Sequence, residues 1–171
     1  SRSFGKMLTD IDTMAEAIAT HASTCARKLR KQKSYAMSLM VFIHTNNFRE
    51  DLPQYWKNTV IHLPVPTNDT QEIVHYALAG LKTIFIQGYQ YKKAGVIITE
   101  ITTSSQLGLF DTVDREKREK LMQAIDKING EHNQLVKLAI QGTGRDWKLK
   151  QEQLSGRYTT DINQIININC L

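Results

Sequence analysis

Cysteine is nearly absent from this 171-residue chain: the two present, Cys25 and Cys170, lie far apart in sequence. They offer neither a disulfide framework nor the paired spacing of a zinc site, and they fit a reducing compartment. No run approaches the roughly 20 apolar residues that a membrane span requires. The N-terminus carries no charged-then-apolar signal pattern and no small-residue cleavage site, so a cytoplasmic protein with no membrane partner is expected. There is no internal repeat and no low-complexity tract. Gly142-Thr143-Gly144 is not followed by Lys-Ser or Lys-Thr at the step a phosphate loop needs, and reads as a turn.

What is present supports a packed core, since 41% of residues are hydrophobic. The net charge of +5 favours a polyanionic partner. Residues 1–105 hold 12 Lys/Arg against 8 Asp/Glu, so the basic excess belongs mainly to the first part of the chain.

Periodicity divides that first part. Thr9 and Asp10 can cap a helix on which Met14, Ile18, His21, Cys25 and Leu29 recur at steps of three and four, sharing one apolar face. His21 and Cys25 have the spacing of metal ligands, but no second pair accompanies them and both sit on that stripe, so they are assigned to the core. Arg27, Lys28, Arg30, Lys31 and Lys33 follow where a helix dipole attracts cations, and are read as that rather than as a binding patch.

From Ala36 to Thr45 the period becomes two. Met37, Leu39, Val41 and Ile43 point one way, and Ser38, Met40, Phe42 and His44 the other, as in a central strand. Residues 46–57 read as a loop, and 59–63 as an edge strand interrupted by Pro64 and Pro66. Asp69 and Glu72 form a capping-box pattern ahead of a helical stripe of Ile73, Ala77, Leu81, Ile84 and Phe85, with Gly88 as its stop. Residues 91–102 are β-branched and predict a strand. With Arg2 to Leu8 extended, the order is β-α-β-β-α-β: an α+β fold with two helices on one face of a four-stranded sheet and the other face uncovered. His44, His62, His75 and His132 have no carboxylate or nucleophile at a meaningful spacing and are assigned no role.

After Thr102 the texture changes to a polar linker, Thr103-Ser104-Ser105, followed by Gln106-Leu107-Gly108-Leu109-Phe110. Two large apolar side chains in a polar linker either fold back on their own domain or anchor in a partner's pocket, with the Gln amide fixing register. Beyond it, residues 114–129 predict a charged helix with a thin stripe of Leu121, Ile125 and Ile128, and 135–140 a short strand.

Several of these segments resemble one family. Gln-Leu-Gly-Leu-Phe is similar to the clamp-binding motif of bacterial polymerases. Ser-Arg-Ser-Phe-Gly at 1–5, Thr-Asp-Ile-Asp-Thr-Met at 9–14 and Tyr-Lys-Lys-Ala-Gly-Val at 91–96 resemble the little finger of UmuC-type Y-family error-prone DNA polymerases. Trp147, Leu154-Ser155 and Tyr158-Thr159-Thr160 resemble the C-terminal region of the same type; Gly156 and Ile162 stand where the family tends to have Pro and Trp.

The resemblance implies a little-finger domain over 1–102, a linker with the clamp-binding motif over 103–113 and an accessory region over 114–171. It implies duplex DNA contact through Arg2, Lys92, Lys93 and Gly95, whose position flanks neighbouring strand ends. Docking on the β sliding clamp would use Gln106, Leu107, Leu109 and Phe110, and the accessory region would meet a UmuD′ dimer and a recombinase filament. No carboxylate pair on adjacent strands is present to hold the Mg²⁺ ions of polymerisation, so a catalytic palm is expected upstream of Ser1 and no activity or cofactor within these residues. The competing reading is a stand-alone RNA-binding or protein-interaction module on the same split sheet, which needs stacking aromatics on the middle strands; Phe42 is the one candidate.

Overall fold

The computed structural model describes residues 1–104, 113–130, 135–144, 146–149 and 154–164. The elements are β1 (Arg2–Leu8), α1 (Ile11–Lys31), β2 (Tyr35–Thr45), β3 (Trp56–Thr67), α2 (Thr70–Ile84), β4 (Tyr91–Thr102) and α3 (Arg115–Asn129), with short 3-10 turns at Ala139–Gln141 and Ile162–Gln164. The strands form one antiparallel sheet in the order β1-β4-β2-β3. The expected α+β class and β-α-β-β-α-β order are therefore found. Both long helices pack on each other and on one sheet face.

Local chemistry explains the boundaries. Asp10 caps α1, its Oδ1 accepting from the Thr13 amide at 2.7 Å, and Asp69 caps α2 by accepting from the Glu72 amide at 2.9 Å. The box at α2 is only half formed, because the Glu72 carboxylate instead accepts from the Thr67 hydroxyl and the Arg115 guanidinium. Met14, Ile18 and Leu29 of α1 and Ile73, Ala77 and Leu81 of α2 close over Leu39, Val41, Ile43 and Val96 of the sheet.

Four details depart from expectation. A bulge shifts the β2 register between Ala36 and Ser38, so Met37 is exposed instead of sharing the buried face of Leu39, while Ser38, opposite His62 and Glu100, keeps the expected face of Met40. β3 starts at Trp56, which shortens the predicted 46–57 loop, and runs through Pro64 and Pro66; an edge strand tolerates the missing N–H groups. α2 ends at Ile84, with Gly88 at φ +100° serving the turn beyond it. Residues 135–140 hold a 3-10 turn at Ala139–Gln141 in place of the predicted strand.

α3 buries Met122, while Leu121 and Ile128 of its predicted stripe face outward. It is instead held by charge. Arg30 of α1 forms a two-pronged pair with Asp126 (2.6 and 2.8 Å) and donates to the Asn68 carbonyl and the Thr70 hydroxyl, while Arg115 pairs with Glu72 and Arg118 with Asp69.

The later chain also returns to the first strand. Trp147 is only 4% exposed. Its ring stands edge-on to Phe4 and His21, its Nε1 donates to Glu16, and its carbonyl accepts from the Gly5 amide at 2.9 Å. A Cβ on Gly5 would lie 2.6 Å from the Lys148 carbonyl oxygen, so glycine is required by this approach.

His21, enclosed by this arrangement, has a buried Nε2 with no hydrogen-bond partner among the described residues. Burial, aided by the nearby positive charges of the Ser1 amino group and Arg2, holds the imidazole down at about 4. In the unfolded chain it protonates near 6.5, so the fold binds fewer protons between those values and stability falls as pH drops through that window. The expected loss is up to about 3 kcal/mol. His21→Gln should flatten the urea-midpoint profile between pH 6.5 and 4; a variant as pH-sensitive as the parent would show that another group is responsible.

Candidate nucleic-acid interface

Hydrogen bonding of β2 to strands on both sides fixes what its uncovered face presents, because residues directly opposite in a ladder point the same way. Three rows result: Val60, Met40 and Ile97; then Asn58, Phe42 and Gly95; then Trp56, His44 and Lys93. The last row, at the end of the sheet where β2 finishes, is polar and aromatic. His44 lies 5.3 Å from the Trp56 ring and 4.9 Å from Phe42, and the Lys93 ammonium stands 5.9 Å above the Phe42 centroid.

Lys93 thus brings a cation onto the open face in the same row as the exposed Trp56 indole, with His44 between them. His44 stays neutral at pH 7, since burial first and the Lys93 charge second push its protonation below the ordinary histidine range. At the opposite end of the face, His62 and Glu100 lie 4.0 Å apart on the surface. The acidic group is thereby kept away from the cationic end.

The residues expected to meet DNA do not all share this face. Arg2 and Lys93 lie on adjacent strands, but Arg2 pairs with Ala94, whose side chain is buried under the helices, while Lys93 pairs with Ser3. Arg2 therefore occupies the helix side of the β1 edge. Lys92 is turned back along that edge, its Nζ donating to the Phe4 carbonyl at 2.7 Å. Above Gly95, a side chain would meet the Ser1 Cβ and, 2.7 Å from an added Cβ, the Phe42 ring, so the glycine accommodates both neighbours. Gln106, Leu107, Leu109 and Phe110 fall outside the described residues. Among the described residues no three His, Cys, Asp or Glu side chains gather as for a metal ion, and no helix is long and apolar enough to cross a membrane.

Residue patterns alone place Trp56 in a loop and assign His44 no role, whereas the structure sets both in the open-face row with Lys93. The signal was there, since His44 shares the parity of Phe42, and an aromatic next to Lys57 suits a strand end.

A one-sided antiparallel sheet with two helices on its covered face defines the class: a little-finger-type α+β domain with an open sheet face. Residues 1–109 match the impB/mucB/samB family C-terminal domain, and residues 119–168 match a domain of unknown function (DUF4113). The chain belongs to the impB/mucB/samB family. Among curated relatives it is 39% identical to the protein ImpB of Salmonella typhimurium, over 94% of this chain and 38% of that one. It is 33% identical to the protein UmuC of Salmonella typhimurium strain LT2, over 98% and 41% respectively, and 32% identical to the protein MucB of Escherichia coli, over 96% and 40%. The chain thus spans about two fifths of the length of these relatives, and the UmuC-type resemblance read from its motifs holds across both halves.

Gly95→Ala is expected to displace the Phe42 ring and cost about 1–3 kcal/mol. Chemical denaturation measures this; an unchanged midpoint would show that the ring does not depend on the missing side chain.

Proposed function

We propose that this chain is the DNA-gripping and clamp-tethering part of an error-prone translesion DNA polymerase of the SOS response. The observation that carries the reading is the row Trp56, His44 and Lys93 on the open face of a domain from the family that includes UmuC and MucB. A cation beside a neutral imidazole and an exposed aromatic suits a phosphate backbone and reads no base edge, as a polymerase following any template requires. Lys93 is the main phosphate contact, Arg2 reaches round the β1 edge, and Lys92 positions β1 through the Phe4 carbonyl.

Residues 1–102 are the little finger, 103–113 the tether and 114–171 the accessory region. Gln106, Leu107, Leu109 and Phe110 dock in the clamp's hydrophobic pocket, bracketed by β4 and α3. A peptide with so few anchors binds in the micromolar range, about −8 kcal/mol, and gains from simultaneous DNA contact. The accessory region meets a UmuD′ dimer and a recombinase filament. Polymerisation, with its Mg²⁺ ions, belongs to a palm outside these residues, in the cytoplasm. The alternative of an RNA-stacking module is disfavoured because Phe42, the middle-strand aromatic, is 7% exposed beneath Lys93.

For duplex binding, Lys93→Ala should reduce the slope of log affinity against log salt by about 0.9. A slope equal to the parent's would remove Lys93 from the footprint.

The tether is tested separately by titrating the clamp. With Leu109→Ala and Phe110→Ala combined, binding should weaken at least about a hundredfold, the loss of two buried anchors. Equal affinity of variant and parent would eliminate the tether.

A further inference from the structure

The helical side of the molecule holds a second concentration of charge. A cleft of about 800 Å³ opens between the C-terminal end of α1, the start of β2 and the flank of α3. One wall carries Arg27, Lys28, Arg30 and Lys31 of α1 together with Lys33 just beyond its end. Among the described lining residues these five cations face two carboxylates, Glu119 and Asp126.

The helix dipole accounts for cations in the last turn, but not for this whole arrangement. Arg27 stands a turn before the end of α1, and Lys33 lies beyond it, at φ +54°, a conformation in which glycine is the low-energy choice. Asp126 engages Arg30 alone, and among the described residues no ion pair is formed by Arg27, Lys28 or Lys33. By holding α3 at a fixed distance, the Arg30–Asp126 pair makes a concave site of what would otherwise be a charged helix end.

We infer that this cleft is a second nucleic-acid site, one that takes the phosphates of a single strand. Charge complementarity selects a polyanion. None of the described residues lining the cleft is a Val, Leu, Ile, Met or Phe of the kind that anchors a peptide; its apolar surface comes from Arg and Lys stems and from Tyr35, which offers an aromatic surface for a base. Tyr35 favours a single strand over a duplex, because only unpaired bases are free to stack on an aromatic ring. The site is also remote from the open-face row: Tyr35 and His44 are separated by most of β2, roughly 30 Å at the rise of an extended strand. The inference does not depend on duplex binding at Lys93.

The test uses the full 171-residue chain and a labelled oligo(dT), read by anisotropy across a salt series. In the triple variant Arg27→Ala, Lys28→Ala, Lys33→Ala, the log–log salt slope should become shallower by about 2, from three lost contacts at about 0.7 each. Lys93→Ala should leave that slope unchanged. These three side chains make no ion pair among the described residues, so an unaltered thermal melt of the triple variant is expected and separates lost binding from lost folding. An unchanged oligo(dT) slope in the triple variant would overturn the inference. So would loss of poly-glutamate binding with oligo(dT) binding intact, which would identify the cleft as an acidic-protein site.

Discussion

The structure depends above all on β2 being hydrogen-bonded on both flanks. A strand in that position cannot slip by one residue without exchanging its two faces. Leu39, Val41 and Ile43 are therefore held against the helices, and Phe42 and His44 are held on the other side. The same ladders carry Trp56 and Lys93 into line with His44. Core and candidate interface are consequences of one register.

The later part of the chain is tied to this sheet by two different kinds of contact. Trp147 is an apolar plug against Phe4 and His21, combined with a backbone bond to Gly5 at the sheet edge. The α3 helix, in contrast, is attached by guanidinium–carboxylate pairs, among which the Arg30 side chain is the most enclosed guanidinium. Removing one partner of such a pair leaves a charge without compensation in a partly dry setting, so these contacts specify position more than they add stability. Residues 119–168, matched to a domain of unknown function, therefore share the little finger's surface at both α1 and β1.

Much of this was legible from residue patterns. Period-two alternation in 39–44 and the i, i+4 stripes of Met14–Ile18 and Ile73–Ala77 identify core faces because burial and periodicity are the same physical fact. Legibility failed where tertiary contacts override local pattern. The bulge near Met37 comes from pairing with two neighbours at once, and the tolerance of Pro64 and Pro66 comes from an edge position that depends on strand order. Arg2, Lys92 and Lys93 are close in the sheet, yet only their partners reveal that they face differently. Trp147 was recognised as a motif residue, but its target, 142 residues earlier at Gly5, has no local signature.

The chain has two tryptophans, and they report on opposite environments: Trp56 is 64% exposed on the open face and Trp147 is 4% exposed behind the sheet edge. The most direct test of the open face as the duplex site is to follow both indole N–H resonances while duplex DNA is added. The account predicts that the Trp56 signal moves in proportion to saturation while that of Trp147 stays in place. A stationary Trp56 signal at saturating duplex, or a shift confined to Trp147, would contradict it.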